Sequence, residues 1–384
     1  MRDFTYSNPT RIHFGKGQIA RAALEVPTAA RVALLAGAGS IRKNGVYDQV
    51  KAALGERLVT EVWDIEPNPD VATVAGAVTQ IRAERVDFLL AVGGGSVVDA
   101  AKAVAGLALT EGDAWTILSK GARFTGVLPI GVVMTLPGTG SEANQAAAIS
   151  NRATSQKIVF LNASCFPRFA VLDPETTYSL PPKQVSNGVV DAFVHVLEQY
   201  LTFPAGGALQ DRLAEAILAT LLELGPLALE KPEDYEVRAN VMWAASLALN
   251  GLIGAGVPQD WTTHNLGHEL TALFGLDHAR SLAAVLPAVL EVRREQKQQK
   301  LLQYGARIFG LSEGDEATRV TATIARTAAF FEQMGLPTRL SAHGIGEEAI
   351  ARVLDQLKAA RRLRMGERLD VTLEHARAML TRAL

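Results

Sequence analysis

Short apolar runs alternate with amphipathic stretches in the first half of the chain. Runs with the length and composition of buried strands occupy residues 31–36, 59–63, 88–92, 132–136 and 169–172. Apolar residues with helical spacing lie between the earlier runs, at about residues 47–53, 71–82 and 97–107. Strands that alternate with helices predict βαβ units and a mainly parallel, Rossmann-like sheet.

Helical patterns replace strand patterns in the second half. They cover residues 211–224, 236–249, 295–309 and 318–334. Valine, which suits buried strands, falls from 22 residues in 1–190 to 11 in 191–384, while leucine, which suits helices, rises from 15 to 32. Turn formers and prolines at residues 173–182 predict the linker. We therefore predict an α/β domain at residues 1–182 and an all-helical domain at residues 183–384.

Composition excludes several classes of protein. The 384 residues are 48% hydrophobic and 20% charged, which excludes a globally disordered chain, and the net charge of -2 disfavours a nucleic-acid or anionic-membrane binder. The most membrane-like stretch, residues 126–140, is interrupted by Pro129 and Pro137, so we predict two buried strands there. The first residues lack a signal-peptide pattern and Cys165 is the single cysteine, so we expect a cytoplasmic protein without disulfides.

One loop joins a predicted strand to a predicted helix through three successive glycines. Gly93, Gly94 and Gly95 are followed by Ser96 and, within the helix, by Asp99. Glycines let the backbone approach a ligand closely, and a helix N-terminus presents free N–H groups to a diphosphate. The alternative is an ordinary turn in which Ser96 caps the helix and Asp99 is the capping acid.

Two further glycine-containing loops follow predicted strands. In the first, Arg42 stands where the dinucleotide fingerprint has its third glycine. This loop alone therefore indicates an ordinary turn as well as it indicates a dinucleotide-binding loop. Its other members are Gly37, Ala38, Gly39 and Ser40. The second loop combines small, hydroxyl and amide residues, namely Thr135, Gly138, Thr139, Gly140, Ser141 and Asn144. Because loops at the carboxyl ends of parallel strands converge, the three together favour a dinucleotide site.

Four of the seven histidines form a second candidate site. Asp191 and His195 are four residues apart, as are His264 and His268, so each pair would share one face of a helix. On one straight helix His278 would lie about 21 Å from His264, so a shared metal requires a turn between them.

Residues 274–276 offer that turn. With one cysteine in the chain, histidine and carboxylate must supply the ligands of any metal. Spacing leaves open whether His264 or His268 is a ligand. It also leaves open whether Glu198, on the same helical face as Asp191, supports a ligand or is a surface charge.

Together these features resemble the iron-activated, or group III, alcohol dehydrogenases over essentially the whole chain. The matching segments are residues 9–17, 93–99, 135–142, 187–195, 254–261, 267–270 and 275–278. Two of them, at 187–191 and 254–261, look most like the NADPH-dependent, broad-range aldehyde reductases often called butanol dehydrogenase-like. The resemblance implies a dehydroquinate synthase-like fold, with a dinucleotide-binding domain, a metal-binding helical domain and the active site in the cleft between them. It also implies a homodimer.

The resemblance assigns roles to individual residues. The ligands of a divalent metal, iron(II) or zinc(II), would be Asp191, His195, His264 and His278. His268 would lie beside the metal near the nicotinamide, where it could relay a proton. Cofactor contacts fall on Gly37, Ala38, Gly39, Ser40, Asn68, Gly94, Gly95, Ser96, Asp99, Thr135, Thr139, Asn144 and Lys157, and Asp99 is also a candidate catalytic group.

Two features give opposite expectations for the cofactor. NAD-using members tend to carry an aspartate at the position of Gly39, and its absence here, with Ser40 and Lys43 nearby, implies NADP(H). A plain Rossmann interpretation would take Asp64 as an acid that binds the ribose and would favour NAD. We give the family position more weight, because the loop is not a standard fingerprint.

We therefore predict reversible hydride transfer between NADP(H) and a short- to medium-chain aldehyde or primary alcohol, with the metal as Lewis acid. Alternatives are a glycerol dehydrogenase-like polyol oxidoreductase or a dehydroquinate synthase-like cyclase of related fold, or a non-redox metal-dependent hydrolase or nucleotide sensor. Apolar residues near the motifs favour aldehydes over polyols. They are Phe193, Trp243, Leu252, Ile253 and Trp261.

Overall fold

The structure is a computed structural model that describes all residues from Met1 to Leu384. The strands are β1 (Arg11–Phe14), β2 (Val32–Ala36), β3 (Leu58–Val62), β4 (Phe88–Gly94), β5 (Ile130–Leu136), β6 (Ala146–Asn151), β7 (Gln156–Leu161), β8 (Phe169–Leu172), β9 (Arg364–Met365) and β10 (Val371–Thr372). The helices are α1 (Ala22–Glu25), α2 (Ser40–Lys43), α3 (Val46–Leu54), α4 (Val71–Ala83), α5 (Gly95–Leu107), α6 (Ala114–Ser119), α7 (Pro182–Tyr200), α8 (Ala208–Glu230), α9 (Tyr235–Ala248), α10 (Thr262–Phe274), α11 (His278–Val292), α12 (Gln298–Phe309), α13 (Glu316–Gln333), α14 (Glu348–Ala359) and α15 (Leu373–Ala383).

The chain forms two compact units. The α/β unit comprises Ser7–Pro181 and Lys231–Ser246. The helical unit comprises Met1–Tyr6, Pro182–Glu230 and Leu247–Leu384. No helix in either unit combines the length and apolar character needed to span a lipid bilayer.

A six-stranded, entirely parallel sheet organises the α/β unit, with strand order β1-β8-β5-β4-β2-β3. Successive residues of a strand point to opposite faces, so in β2 Ala33 and Leu35 join one apolar core while Val32 and Leu34 join another. Because both faces are covered, the strand reads as a continuous apolar run rather than an alternating one. All five predicted strands are present, as β2, β3, β4, β5 and β8.

Strand order places the three glycine-containing loops beside one another. The loops follow β2, β4 and β5, which are neighbours in the sheet and run in the same direction. Their carboxyl ends therefore lie at one edge of the sheet, where α/β proteins bind ligands.

The helical unit is built around α7, which is buried along almost its whole length. Phe193 in its middle packs against Phe330 and Phe331 of α13, with ring centroids 4.8 and 6.0 Å away. The expected turn between the histidines is confirmed, because α10 ends at Gly275 in the left-handed conformation (φ 67°) and α11 begins at His278. The prediction of an α/β part followed by a helical part is confirmed.

Three details differ from the sequence prediction. Residues 126–140 contain one strand, β5, rather than two, because Pro129 has no N–H for a ladder and the chain before it runs as an irregular segment. The antiparallel hairpin of β6 and β7 was not predicted, since Ala147 and its alanine neighbours favour helix unless a partner strand pairs with them. The helical part also contains β9 and β10, a pair of two-residue strands.

Candidate active site

The glycine loop between β4 and α5 has the form of a phosphate cradle. Gly94 is the N-cap of α5, and no side chain hydrogen-bonds to the first N–H groups of this helix. The hydroxyl of Ser96 instead accepts a hydrogen bond from the Asn68 N–H at 3.2 Å. A Cβ added to Gly95 would lie 2.3 Å from Thr139 Oγ1, so the loop after β5 packs directly against this one. The capping alternative is therefore wrong, and the free N–H groups are available to an anion.

Asp99 does not cap its helix, because both of its oxygens bind the segment after β5. The Ser141 hydroxyl donates to Asp99 Oδ1 at 2.7 Å, and the Ala148 N–H donates to Oδ2 at 3.0 Å. Burial raises the pKa of the Asp99 carboxyl, and the nearby Lys102 ammonium opposes this shift. The side chain thus fixes the second turn of α5 to the loop and hairpin that follow β5.

Lys102, which sequence reasoning missed, completes this attachment. Its side chain is fully buried, and its ammonium donates to Ser141 Oγ at 2.8 Å, Asn144 Oδ1 at 3.0 Å and the Ala146 carbonyl at 2.7 Å. Burial lowers the pKa of Lys102 to about 8, with the Asp99 carboxylate opposing that shift. A lysine within the otherwise apolar run of α5 was the available sequence signal.

Asn68 and Lys157 meet at the same edge of the sheet. The Lys157 ammonium donates to Asn68 Oδ1 at 2.7 Å. Asn68 has a left-handed backbone (φ 54°), which its short polar side chain tolerates. Two residues assigned separately to the cofactor are thereby in direct contact with each other.

The loop after β2 is open around Gly39. This glycine has φ 89°, and a Cβ built on it would meet no atom within 4 Å. Gly37 and Ala38 precede it, and Ser40 begins the short helix α2. The Asp64 N–H donates to the Gly37 carbonyl at 3.4 Å, so the acid that favours NAD also lies beside this loop.

Asp191, His195 and His264 converge within the helical unit. Asp191 and His195 lie one turn apart on α7, His264 lies in the first turn of α10, and all three are buried. One potential ligand atom from each lies within 4.8 Å of the other two. His195 Nε2 and His264 Nε2 face each other at 3.0 Å, and His278 Nε2 lies 3.7 Å from Asp191 Oδ1. The structure thus brings three of the four predicted ligands together and places the fourth, His278, next to Asp191.

The donor set of this histidine cluster fits a divalent cation. Asp191 Oδ1 is buried and makes no hydrogen bond, a costly state that a cation would relieve. Two nitrogens bound to one tetrahedral ion at about 2.0–2.1 Å lie about 3.3 Å apart, close to the 3.0 Å between His195 and His264. Burial lowers the pKa of His195 to about 4, so at pH 7 its ring is neutral and keeps a lone pair for a metal.

His268 lies beside the cluster rather than within the converging group. Its ring stacks on that of His278 with centroids 5.0 Å apart, and its centroid is 5.9 Å from that of His264. The three side chains that converge within 4.8 Å do not include it. This arrangement favours His264 over His268 as a ligand.

Glu198 contacts His264 through Nδ1, the ring nitrogen that does not face His195. Its carboxylate accepts hydrogen bonds from the Thr263 N–H at 2.6 Å, the His264 N–H at 3.2 Å and the Nδ1 of His264. It is 4% exposed, so the alternative of a surface charge is wrong. Burial raises its pKa well above the usual glutamate value, and the neighbouring Asp260 acts in the same direction.

The apolar residues near the motifs do not form one group. Phe193 is completely buried in the core of the helical unit, so it lines no pocket. Trp243 belongs to the α/β unit, where it packs edge-on against Phe14. Trp261 lies beside the cluster, with its ring centroid 5.3 Å from that of His264. The five residues therefore do not together form an apolar substrate pocket, because sequence proximity to a motif does not show which way a side chain points.

Known protein families match almost the whole chain. The family described as iron-containing alcohol dehydrogenase matches residues 9–174, and the C-terminal part of the Fe-containing alcohol dehydrogenase family matches residues 185–384. The chain belongs to the iron-containing alcohol dehydrogenase family. This membership confirms the predicted resemblance, and with it the enzyme class of metal-dependent alcohol dehydrogenase or aldehyde reductase.

Individual relatives cover the same length. The NADPH-dependent aldehyde reductase YqhD of Escherichia coli is 52% identical over 380 residues, which is 98% of each chain. NADH-dependent butanol dehydrogenase A of Clostridium acetobutylicum is 37% identical over 91% of each chain. A crystal structure of YqhD from E. coli K-12 superposes with a TM-score of 0.98 at 51% identity, covering 100% of this chain and 99% of the other. The predicted fold class of this iron-containing alcohol dehydrogenase is confirmed.

Proposed function

We propose that this iron-containing alcohol dehydrogenase interconverts short- to medium-chain aldehydes and primary alcohols with NADP(H), using a divalent metal held by Asp191, His195, His264 and His278. The observation that carries the proposal is the convergence of Asp191, His195 and His264, in which Asp191 Oδ1 is buried and has no hydrogen-bond partner. The three loops at one edge of the parallel sheet support the dinucleotide part of the proposal.

The bound groups supply the chemistry that this chain lacks: a hydride from the nicotinamide and a Lewis acid for the carbonyl oxygen. The residues of the cluster hold that cation in a buried place, where charge on an oxygen is poorly screened by water. His268, stacked on His278, is the proposed residue that relays a proton to and from the alcohol oxygen. Iron(II) and zinc(II) both suit three imidazoles and one carboxylate.

The diphosphate of the cofactor is proposed to bind the uncapped N-terminus of α5 at Gly94, Gly95 and Ser96. Asp99 was assigned to both cofactor binding and catalysis. Its two oxygens already accept hydrogen bonds from Ser141 and Ala148, so we propose that it positions the neighbouring loop and transfers no proton.

The preference for NADP(H) rests on the loop after β2. No carboxylate stands at Gly39, and a Cβ built there would meet no atom within 4 Å, so this position opposes a 2′-phosphate neither by charge nor by a side chain. The E. coli relative at 52% identity is named as NADPH-dependent, whereas the C. acetobutylicum relative at 37% identity is named as NADH-dependent. Cofactor choice therefore differs among relatives, and for this chain the proposal of NADP(H) rests on the absence of a carboxylate at Gly39.

The test is a steady-state assay with butanal, recorded at 340 nm with NADPH and with NADH. We expect oxidation of NADPH with a higher kcat/KM than NADH, loss of turnover after dialysis against a chelator, and recovery when Fe²⁺ or Zn²⁺ is added back. Turnover that survives complete removal of metal would contradict the metal part of the proposal. Oxidation of neither nicotinamide with butanal or other aldehydes would contradict the reaction itself.

We also propose a homodimer located in the cytoplasm. The proposal of a dimer rests on the resemblance to the family. The proposed location agrees with the single cysteine, Cys165, which is buried and forms no disulfide. Light scattering coupled to size-exclusion chromatography should give about twice the 41.0 kDa chain mass. A mass that stays at one chain across the concentration range would contradict the dimer.

A further inference from the structure

Glu198 joins the two helices that carry the proposed metal ligands. It lies on α7, two turns after Asp191 and one turn after His195. Its backbone carbonyl accepts the Asp260 N–H at 2.7 Å, and its carboxylate accepts the N–H groups of Thr263 and His264. The start of α10 is therefore attached to α7 through this one residue.

The same carboxylate also decides which nitrogen of His264 carries the proton. In its ionised form, which the Thr263 and His264 N–H groups favour, Glu198 can only accept, so the Nδ1 that contacts its Oε2 is then the N–H donor. In a neutral imidazole the other nitrogen then keeps its lone pair. That nitrogen, Nε2, is the one that faces His195 Nε2 at 3.0 Å. Glu198 thus fixes both the tautomer and the ring orientation that a metal at this place needs.

The charge of Glu198 is compensated by the backbone rather than by a basic side chain. The first three N–H groups of α10 all meet carboxylates, since Asp260 Oδ1 accepts from Thr262 at 2.8 Å and Glu198 accepts from the next two residues. Lys297 forms its ion pairs with Asp260 and Glu367, at 2.7 and 3.3 Å, and not with Glu198. The positive end of the α10 dipole faces Glu198, and the Nδ1 of His264 is its side-chain hydrogen-bond partner.

We infer that Glu198 is a positioning residue of the metal site, which orients His264 by holding its Nδ1–H so that Nε2 is presented to the cation. The inference rests on the proposed metal site. Partners of this kind raise the basicity of a ligand and fix its ring, and their loss costs about 10- to 100-fold in metal affinity. Gln in place of Glu198 keeps the size of the side chain, but its NH₂ group would face backbone N–H donors.

The experiment measures Zn²⁺ affinity directly, by competition with a chromophoric chelator, for the wild type, Glu198→Gln and a control. Glu269→Gln is the matched control, because Glu269 is a buried carboxylate on α10 that pairs with Arg362 at 3.2 Å. We expect Glu198→Gln to weaken Zn²⁺ binding about 10- to 100-fold and Glu269→Gln to stay within about twofold of the wild type. Circular dichroism establishes that each variant is folded.

Equal Zn²⁺ affinity in folded Glu198→Gln and the wild type would overturn the inference. Failure of the wild type to bind Zn²⁺ would instead overturn the proposed metal site. If Glu198→Gln does not fold, the zinc-loaded wild type with ¹⁵N-labelled histidine decides by NMR. The His264 signals, assigned by their loss in His264→Gln, should show a protonated Nδ1 and a metal-bound Nε2. An unprotonated or metal-bound Nδ1 would overturn the inference.

Discussion

His264 and His268 lie one helical turn apart on α10, yet the structure gives them different surroundings. His264 contacts Glu198 through one ring nitrogen and faces His195 through the other. His268 stacks on His278 and lies outside the converging group. The role of each histidine thus depends on the partners of its ring nitrogens. The four-residue spacing between the two histidines does not specify these partners.

Replacing the two histidines separately should therefore have different effects. We expect His264→Ala to lose the metal, because a converging ligand is removed, and His268→Ala to keep the metal while turning over slowly. Metal content by atomic absorption after gel filtration, together with kcat, checks both. Metal retained by His264→Ala and lost from His268→Ala would reverse the ligand assignment.

A single carboxylate in the loop after β2 should change cofactor choice. We expect Gly39→Asp to lower the ratio of kcat/KM for NADPH over NADH by at least about tenfold, since a new charge would repel the 2′-phosphate. Aspartate is among the residues that tolerate φ 89° best, and its Cβ would meet no neighbour. Gly310→Asp, at a similarly open position with φ 70°, is the control and should leave the ratio unchanged.

The buried carboxyl of Glu269 should make stability depend on pH. Burial raises its pKa from 4.5 to about 6 despite the Arg362 guanidinium, so the folded state holds this proton more tightly than the unfolded state does. The contribution of the Glu269 carboxyl to the free energy of unfolding is fully present below pH 4.5. It is lost as pH rises through 6, and the free energy of unfolding falls by up to about 2 kcal/mol. Glu269→Gln should remove this dependence. Urea unfolding at pH 4.5 and pH 7.5 checks it, and a wild-type-to-variant difference that stays constant would contradict it.

At the scale of elements, α5 has a role at each of its first two turns. Its N-terminus offers uncapped N–H groups, while Asp99 and Lys102 on the next turn hold the segment after β5. Gly95 is the first residue of α5 and packs against Thr139 in the loop after β5. The loops after β4 and β5 thus pack against each other, and their conformation depends on this close packing as well as on glycine flexibility.

Adding one methyl group at Gly95 should disturb that packing. In Gly95→Ala the Cβ would lie 2.3 Å from Thr139 Oγ1 and 2.5 Å from its Cγ2, so one of the two loops must move. We expect the Kd for NADPH, from fluorescence titration, to rise at least about tenfold. Gly76→Ala on α4, where a Cβ meets nothing within 4 Å, should leave this Kd unchanged and stabilise the fold by about 0.5–1 kcal/mol. Equal Kd values for both variants would contradict the packing account.

At the scale of the whole molecule, each unit holds one complete set of candidate groups. The glycine-containing loops, Lys102 and Lys157 belong to the α/β unit, and the histidine cluster with Glu198 belongs to the helical unit. Each set depends on the core of its own unit.

Metal removal should lower the temperature of unfolding. A ligand that binds only the folded state at 100 times its Kd stabilises that state by about 2.7 kcal/mol. We expect chelation to lower the midpoint in calorimetry and Zn²⁺ to restore it, whereas His264→Ala should respond to neither. An unchanged midpoint in a wild type shown to have lost its metal would contradict this expectation.

Local patterns in the sequence determined much of this protein. Apolar runs identified five of the six strands of the parallel sheet, and the runs of the central strands are continuous because strands covered on both faces must be apolar throughout. The change from valine to leucine separated the α/β half from the helical half, and the glycine-containing loops and clustered histidines pointed to the candidate groups. Each of these signals is a matter of composition or of short spacing along the chain, so it can be read without knowing the fold.

Only the tertiary structure decided what depends on long-range contacts. It distinguished His264 from His268 through Glu198, an acid 66 residues earlier in the chain. It showed that Asp99 binds a loop rather than caps a helix and that Lys102 binds the same loop, and it formed β6 from residues that favour helix. In each case the deciding partner is distant in sequence, and hydrogen bonds and burial create a specificity that residue type and spacing do not contain.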